Sequence, residues 1–259
     1  MDSRTSAGRD APIGTSVNIA FVRWDGAARL YAVLARLDLG ADAASLFDAR
    51  LPRGPWVEPL LEAYRAAPGR LMLHGVALLR PSDLRSCLRH QPPAGLEDPA
   101  GRRLCTASLD ALDAIADEPL RYAEAPQEIL EPLQALRGAL WERVGPPPAL
   151  RVVDCPALGR AGRAVSSGEG RVVAVSLAEP AEHVLCQVLH EETHAVTDPL
   201  VRESWTPSGA RRDTAVGSPG YARHQALETA AIEVGDALIA ARAPQWSDAY
   251  QRWRARFGV

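Results

Sequence analysis

The chain has no lysine: all 29 of its cationic side chains are arginine. No side chain can therefore form a Schiff base or act as an amine nucleophile. That excludes lysine-dependent pyridoxal chemistry, the lysine-bearing phosphate loop and class A β-lactamase chemistry. A general basic field is missing as well. Against 32 acidic residues the formal net charge is −3, which offers nothing to nucleic acid or to an anionic membrane. No apolar run approaches the roughly 18 residues a membrane-spanning helix needs. The N-terminal stretch MDSRTSAGRDAPIGTS lacks the apolar core of a secretory leader. Cysteine is sparse, and Cys87, Cys105, Cys155 and Cys186 include no Cys-x-x-Cys pair, so free thiols are expected. These absences lead us to expect a cytoplasmic protein with a mobile tail over residues 1–15.

What is present is ordinary globular material. Apolar residues make up 47% of 259 residues, enough for one large or two small cores. Residues 16–148 read as mostly helical. Ser16–Trp24 has strand character, while Ala27–Leu37, Trp56–Ala67, Ser108–Ala116 and Gln127–Val144 carry helical apolar spacing. Leu71–Leu79 is ambiguous. Gly145 and Pro146–Pro148 mark the best boundary in the chain. Residues 149–259 then open with a strand-rich segment: Leu150–Val153, and a hairpin of Arg163–Val165 with Arg171–Leu177. A helix is expected from Pro180 to about Thr197, closed by Pro199. A loop over Pro199–Gly220 leads to a second helix, Tyr221–Arg242. In the last helix, Gln245–Phe257, the stripe Trp246, Tyr250, Trp253 and Phe257 reads as a packing face. The fold class expected is α+β, mainly helical.

The chemistry lies in His190-Glu191-Glu192-Thr193-His194. Two histidines four apart on a helix stand one turn above each other, so both imidazoles can reach one metal ion. The carboxylate beside the first is placed to take a proton from water. At 100° per residue, Val184, Leu185, Val188, Leu189, Ala195 and Val196 share one arc. His183, Gln187, His190, His194 and Asp198 take the other, with Glu191 at its edge. The ligand pair thus projects from the face away from the core. Glu192 breaks the pattern by falling inside the apolar arc, where a carboxylate needs a cationic partner. With no lysine in the chain, that partner is expected to be arginine.

A third metal ligand is expected downstream. On the second helix Gln225, Thr229, Glu233 and Asp236 form an ordinary polar arc. Glu228 instead shares its face with Tyr221, His224, Ala231, Ile232, Gly235 and Ile239, and a carboxylate there calls for a cation. Glu228 is the first candidate, with Glu233, Asp198 and His224 as alternatives.

Residues 149–242 resemble the zincin metallopeptidases, and within them the gluzincins, in which His-Glu-x-x-His is joined by a glutamate from a later helix. The resemblance implies zinc held by His190, His194 and Glu228. It implies Glu191 as general base acting on zinc-bound water, and a peptide or protein as substrate. Tyr221 or His224 would polarise the scissile carbonyl, and Arg171–Leu177 would match the edge strand that receives an extended peptide. Many gluzincins carry Asp or Asn four residues after the ligand glutamate; here that position is Ile232. The support for a ligand histidine then falls to Asp198 or Asp236. Two other functions remain open: a metal-dependent hydrolase of a small amide or modified peptide, and a catalytically silent scaffold that binds or regulates. Oligomeric state is not legible, and the residues from 16 to 148 suggest no chemistry.

Overall fold

The computed structural model describes residues 14–16, 19–37, 51–168, 170–204 and 219–255. Nearly all of the tail expected over residues 1–15 lies outside them; Gly14 and Thr15 belong to a short strand. Five strands form one mixed sheet among the described residues: β1 (Gly14–Ser16), β2 (Ile19–Val22), β3 (Leu150–Asp154), β4 (Arg163–Ser167) and β5 (Gly170–Val175). Their spatial order is β1-β2-β3-β5-β4. The neighbours β2, β3 and β5 run parallel, while β1 and β4 pair antiparallel at the two edges.

The three central strands read as nearly unbroken apolar runs because both of their faces are covered. Alternate residues point to opposite sides. Val22, Val153, Val172 and Ala174 enter one core cluster, and Phe21, Val152, Val173 and Val175 enter the other. Against the first lie α1 (Asp25–Leu34), α2 (Val57–Ala66), α3 (Met72–Leu79), α4 (Leu84–His90) and α5 (Pro99–Ala114). Against the second lie α6 (Leu130–Trp141), α7 (Ala181–Ser204), α8 (Pro219–Arg242) and α9 (Ser247–Ala255). The molecule is α+β and mainly helical, as expected. No helix among the described residues is long and apolar enough to cross a membrane.

Several details differ from the sequence reading. The division expected between residues 148 and 149 runs through this sheet, since β2 from the N-terminal part pairs with β3 along its whole length. Helix α5 begins at Pro99, nine residues ahead of the expected Ser108, because the Asp98 side chain caps it by accepting the Gly101 N–H at 2.6 Å. The ambiguous run at Leu71 is helical, and α4 was not anticipated. Helix α7 does not stop at Pro199 but continues to Ser204 with the proline inside it. The bond forfeited, to the carbonyl of Ala195, falls near an exposed helix end where no packed core constrains it.

The strand expected at the sheet edge, Arg171–Leu177, is also corrected. As β5 it lies between β3 and β4 with partners on both sides, and the edge beside it is β4. A hairpin pattern in sequence cannot say which of its two strands a third strand will join. The aromatic stripe does pack inward: Tyr250 and Trp253 are buried and Trp246 lies against the same core, while Phe257 falls outside the described residues. Gly235 lets α9 approach α8, since a Cβ there would stand 2.2 Å from the Tyr250 hydroxyl.

Candidate metal centre

Helices α7 and α8 lie side by side, and their facing sides bring His190, His194 and Glu228 together. One ligand-capable atom from each lies within 4.8 Å of the others. The two Nε2 atoms are 3.1 Å apart. Glu228 Oε2 is 3.2 Å from His190 Nε2 and 3.5 Å from His194 Nε2. Three donors bound at about 2.0–2.1 Å to one tetrahedral ion stand roughly 3.3 Å apart. The observed triangle therefore has the dimensions of one face of such a tetrahedron, which leaves a fourth position for another ligand. This is a group that can hold a metal ion.

The electrostatics agree with that geometry. Burial pulls the His194 pKa down, but hydrogen bonds to Asp198 and Glu228, with the nearby charge of Glu191, raise it to about 10. Burial pushes the Glu228 carboxyl up, yet the hydrogen bonds and charges of His190 and His194 hold it well below the usual carboxylate range. Without a metal, the neighbouring carboxylates favour the protonated form of His194. The set favours positive charge at its centre, which a metal ion would supply.

The other expectations sort cleanly. Asp198, and not Asp236, meets a histidine of the group: its Oδ1 is 2.9 Å from His194 Nδ1, and its Oδ2 accepts from Arg202 Nη2 at 3.2 Å. Asp236 instead accepts from Gln251 and Arg254 of α9. Glu233 is exposed on the outer face of α8 and is not part of the group. His224 lies one turn before Glu228, its Nδ1 3.6 Å from Glu228 Oε1, so it borders the group without joining it. Tyr221 sits in the first turns of α8, but its side chain lies outside the described residues. The thiol of Cys186 is buried within the core, where burial pushes its pKa to about 12; it is not a ligand.

The face of α7 that carries His190 and His194 is not open to solvent along its length. His183, Gln187 and His190 are all buried, with Trp253 of α9 against both Gln187 and His190 and Glu228 of α8 beside His190. Near Glu191, the Gln187 amide donates to Glu191 Oε1 at 3.1 Å, and Arg171 Nη2 donates to the Glu191 carbonyl at 2.6 Å. Gly162, just before β4, is crowded against this pair. A Cβ there would lie 2.5 Å from Gln187 Nε2 and 2.7 Å from Glu191 Oε1.

The partner required by Glu192 is arginine twice over. Arg137 Nε of α6 donates to its Oε2 at 2.7 Å, and Arg171 Nε of β5 donates to its Oε1 at 3.1 Å. Arg137 Nη2 also donates to the Pro148 carbonyl and Arg171 Nη1 to the Ser166 hydroxyl. Glu192 is fully buried, so this network ties the motif helix to both the sheet and α6. The sequence pointed to an arginine without saying which. It missed Gln187 and Trp253 as neighbours of the site, although both already stood out, one on the polar arc and one in the aromatic stripe.

No family model matches the chain, and no curated protein or solved structure matches it either. The reading of the site rests on its own geometry.

Proposed function

We propose that the chain is a zinc-dependent metallopeptidase of gluzincin type. The observation that carries this is the triangle of His190, His194 and Glu228, with Glu191 beside the first ligand on the same helix. Two imidazoles and one carboxylate make a donor set suited to zinc. Zinc, when bound, supplies Lewis acidity that lowers the pKa of coordinated water and polarises a carbonyl oxygen.

The chain's own residues then divide the remaining work. Glu191 accepts the proton of the attacking water and passes it to the departing amine, so that water is added across the amide. His224, half exposed beside the outer oxygen of Glu228, is the candidate donor to the developing oxyanion. An extended substrate is best received along β4, whose outer side has no strand partner among the described residues. That strand follows directly on Gly162, which touches Glu191, so a peptide added there would pass the general base.

The test pairs metal analysis with digestion of a peptide library. Wild type should bind about one zinc per chain and cleave peptides. Glu191→Gln should keep the zinc and lose turnover by about 10²- to 10⁴-fold. Full activity in that variant would overturn the mechanism, and zinc binding without cleavage of any peptide would overturn the substrate class.

A further inference from the structure

His190 and His194 are supported in different ways. His194 has the Asp198 carboxylate on its Nδ1, the usual means of fixing a ligand imidazole. The Nδ1 of His190 is buried and has no hydrogen-bond partner among the described residues. What lies against His190 is the indole of Trp253, with ring centroids 5.1 Å apart and planes inclined at 52°. That indole comes from α9, the last helix among the described residues, and Trp253 is itself 4% exposed.

The same indole has a second contact. Its Nε1 donates to Gln187 Oε1 at 3.1 Å, and Gln187 Nε2 donates to Glu191 Oε1 at 3.1 Å. An indole N–H can only donate. The Gln187 oxygen must therefore face Trp253, and its NH₂ must face Glu191. A flipped amide would set oxygen against the Glu191 carboxylate and leave two N–H groups pointing at each other. With Gln187 buried, water has little access to rescue that arrangement. The orientation of Gln187 is thus decided from α9.

We infer that Trp253 is a positioning residue of the metal site, its ring holding His190 and its N–H, through Gln187, holding the Glu191 carboxylate. The part concerning Glu191 as a base rests on the peptidase reading; the parts concerning metal affinity and geometry do not. Gly162 closes the other side of the Gln187–Glu191 pair, so the carboxylate is held between α9 and the start of β4.

The test uses the full chain loaded with Co²⁺, whose visible absorption responds to groups hydrogen-bonded around its ligands. Trp253→Ala should lower Co²⁺ affinity about tenfold or more, while Trp253→Phe, which keeps a ring on His190, should stay near wild type. Trp253→Phe and Gln187→Leu should shift the Co²⁺ absorption in the same direction, and the double variant should go no further than Gln187→Leu alone. In hydrolysis each single variant should lose about tenfold in kcat with little change in KM.

Wild-type affinity in a folded Trp253→Ala variant would overturn the proposal, as would an unchanged Co²⁺ spectrum in Trp253→Phe or additive shifts in the double variant. If Trp253→Ala fails to fold, Trp253→Phe and Gln187→Leu still decide through the spectra. Coupled spectral shifts with no peptide cleavage by wild type would support the positioning role and remove the peptidase reading. Normal kcat in both variants beside a dead Glu191→Gln would do the reverse.

Discussion

The two sides of the sheet bury different things. Helices α1–α5 pack a mostly aliphatic layer, in which Arg36, His74 and Ser108 are the buried polar side chains among the described residues. On the other side Arg137, Arg171, Gln187, His190, Glu192 and Thr193 are all buried. Polar groups are costly to bury unless each finds a partner, and apolar packing alone would stabilise the second layer at least as well. The difference teaches where geometry, more than stability, is being specified. The adjacent carboxylates make the point at close range: Glu192 is clamped by two guanidiniums, while the Glu191 carboxylate receives one side-chain amide among the described residues.

The contrast can be broken most severely at Glu192. In Glu192→Gln two guanidiniums stay buried beside a neutral amide, and the expected loss is about 3–5 kcal/mol in urea unfolding. Metal affinity should fall with it, because α7 loses its tie to β5 and α6. In the aliphatic layer, Leu104→Ala should cost about 2–5 kcal/mol through the cavity it leaves, but the folded variant should bind metal as wild type does. A matching drop in metal affinity would show that the layers are not independent.

Asp198→Asn addresses the site without its foundations. Metal affinity should fall about 10- to 100-fold with little change in unfolding midpoint, as measured by chelator competition and thermal melts. The smallest effect belongs to the one buried histidine of the N-terminal layer. Burial, assisted by Arg163, lowers the His74 pKa to about 3. Below pH 6.5 the unfolded chain takes up a proton that the folded chain refuses, so stability falls as pH drops from 6.5 towards 3. The slope is about 1.4 kcal/mol per pH unit at its steepest. Urea unfolding at pH 7 and pH 5.5 should show wild type losing more stability over that interval than His74→Leu.

Much of the site was legible because it is written at helical spacing. His190, His194 and the neighbouring Glu191 are fixed by their separation along α7. Glu228 stood out as a charge on an apolar face, and the same reasoning foretold an arginine for Glu192. The edge strand was misplaced, because β4 and β5 look alike in sequence and only the pairing with β3 distinguishes them. Pro199 misled for a related reason: a proline near an exposed helix end forfeits one bond, and whether the helix tolerates that depends on what packs nearby. Asp198 and Asp236 were indistinguishable until the neighbours of each were known.

The absence of lysine shows where sequence and structure divide. Composition alone required that any cationic side chain answering Glu192 be arginine or a protonated histidine, because no other was available. The choice of Arg137 and Arg171, 55 and 21 residues away along the chain, was made by the packing of α6 and β5 against α7. The same holds for Trp253, which reads in sequence as one more aromatic of a packing face. Local spacing determines what one helix can present. Which side chains meet it is decided by long-range packing, and that information is spread over the whole chain.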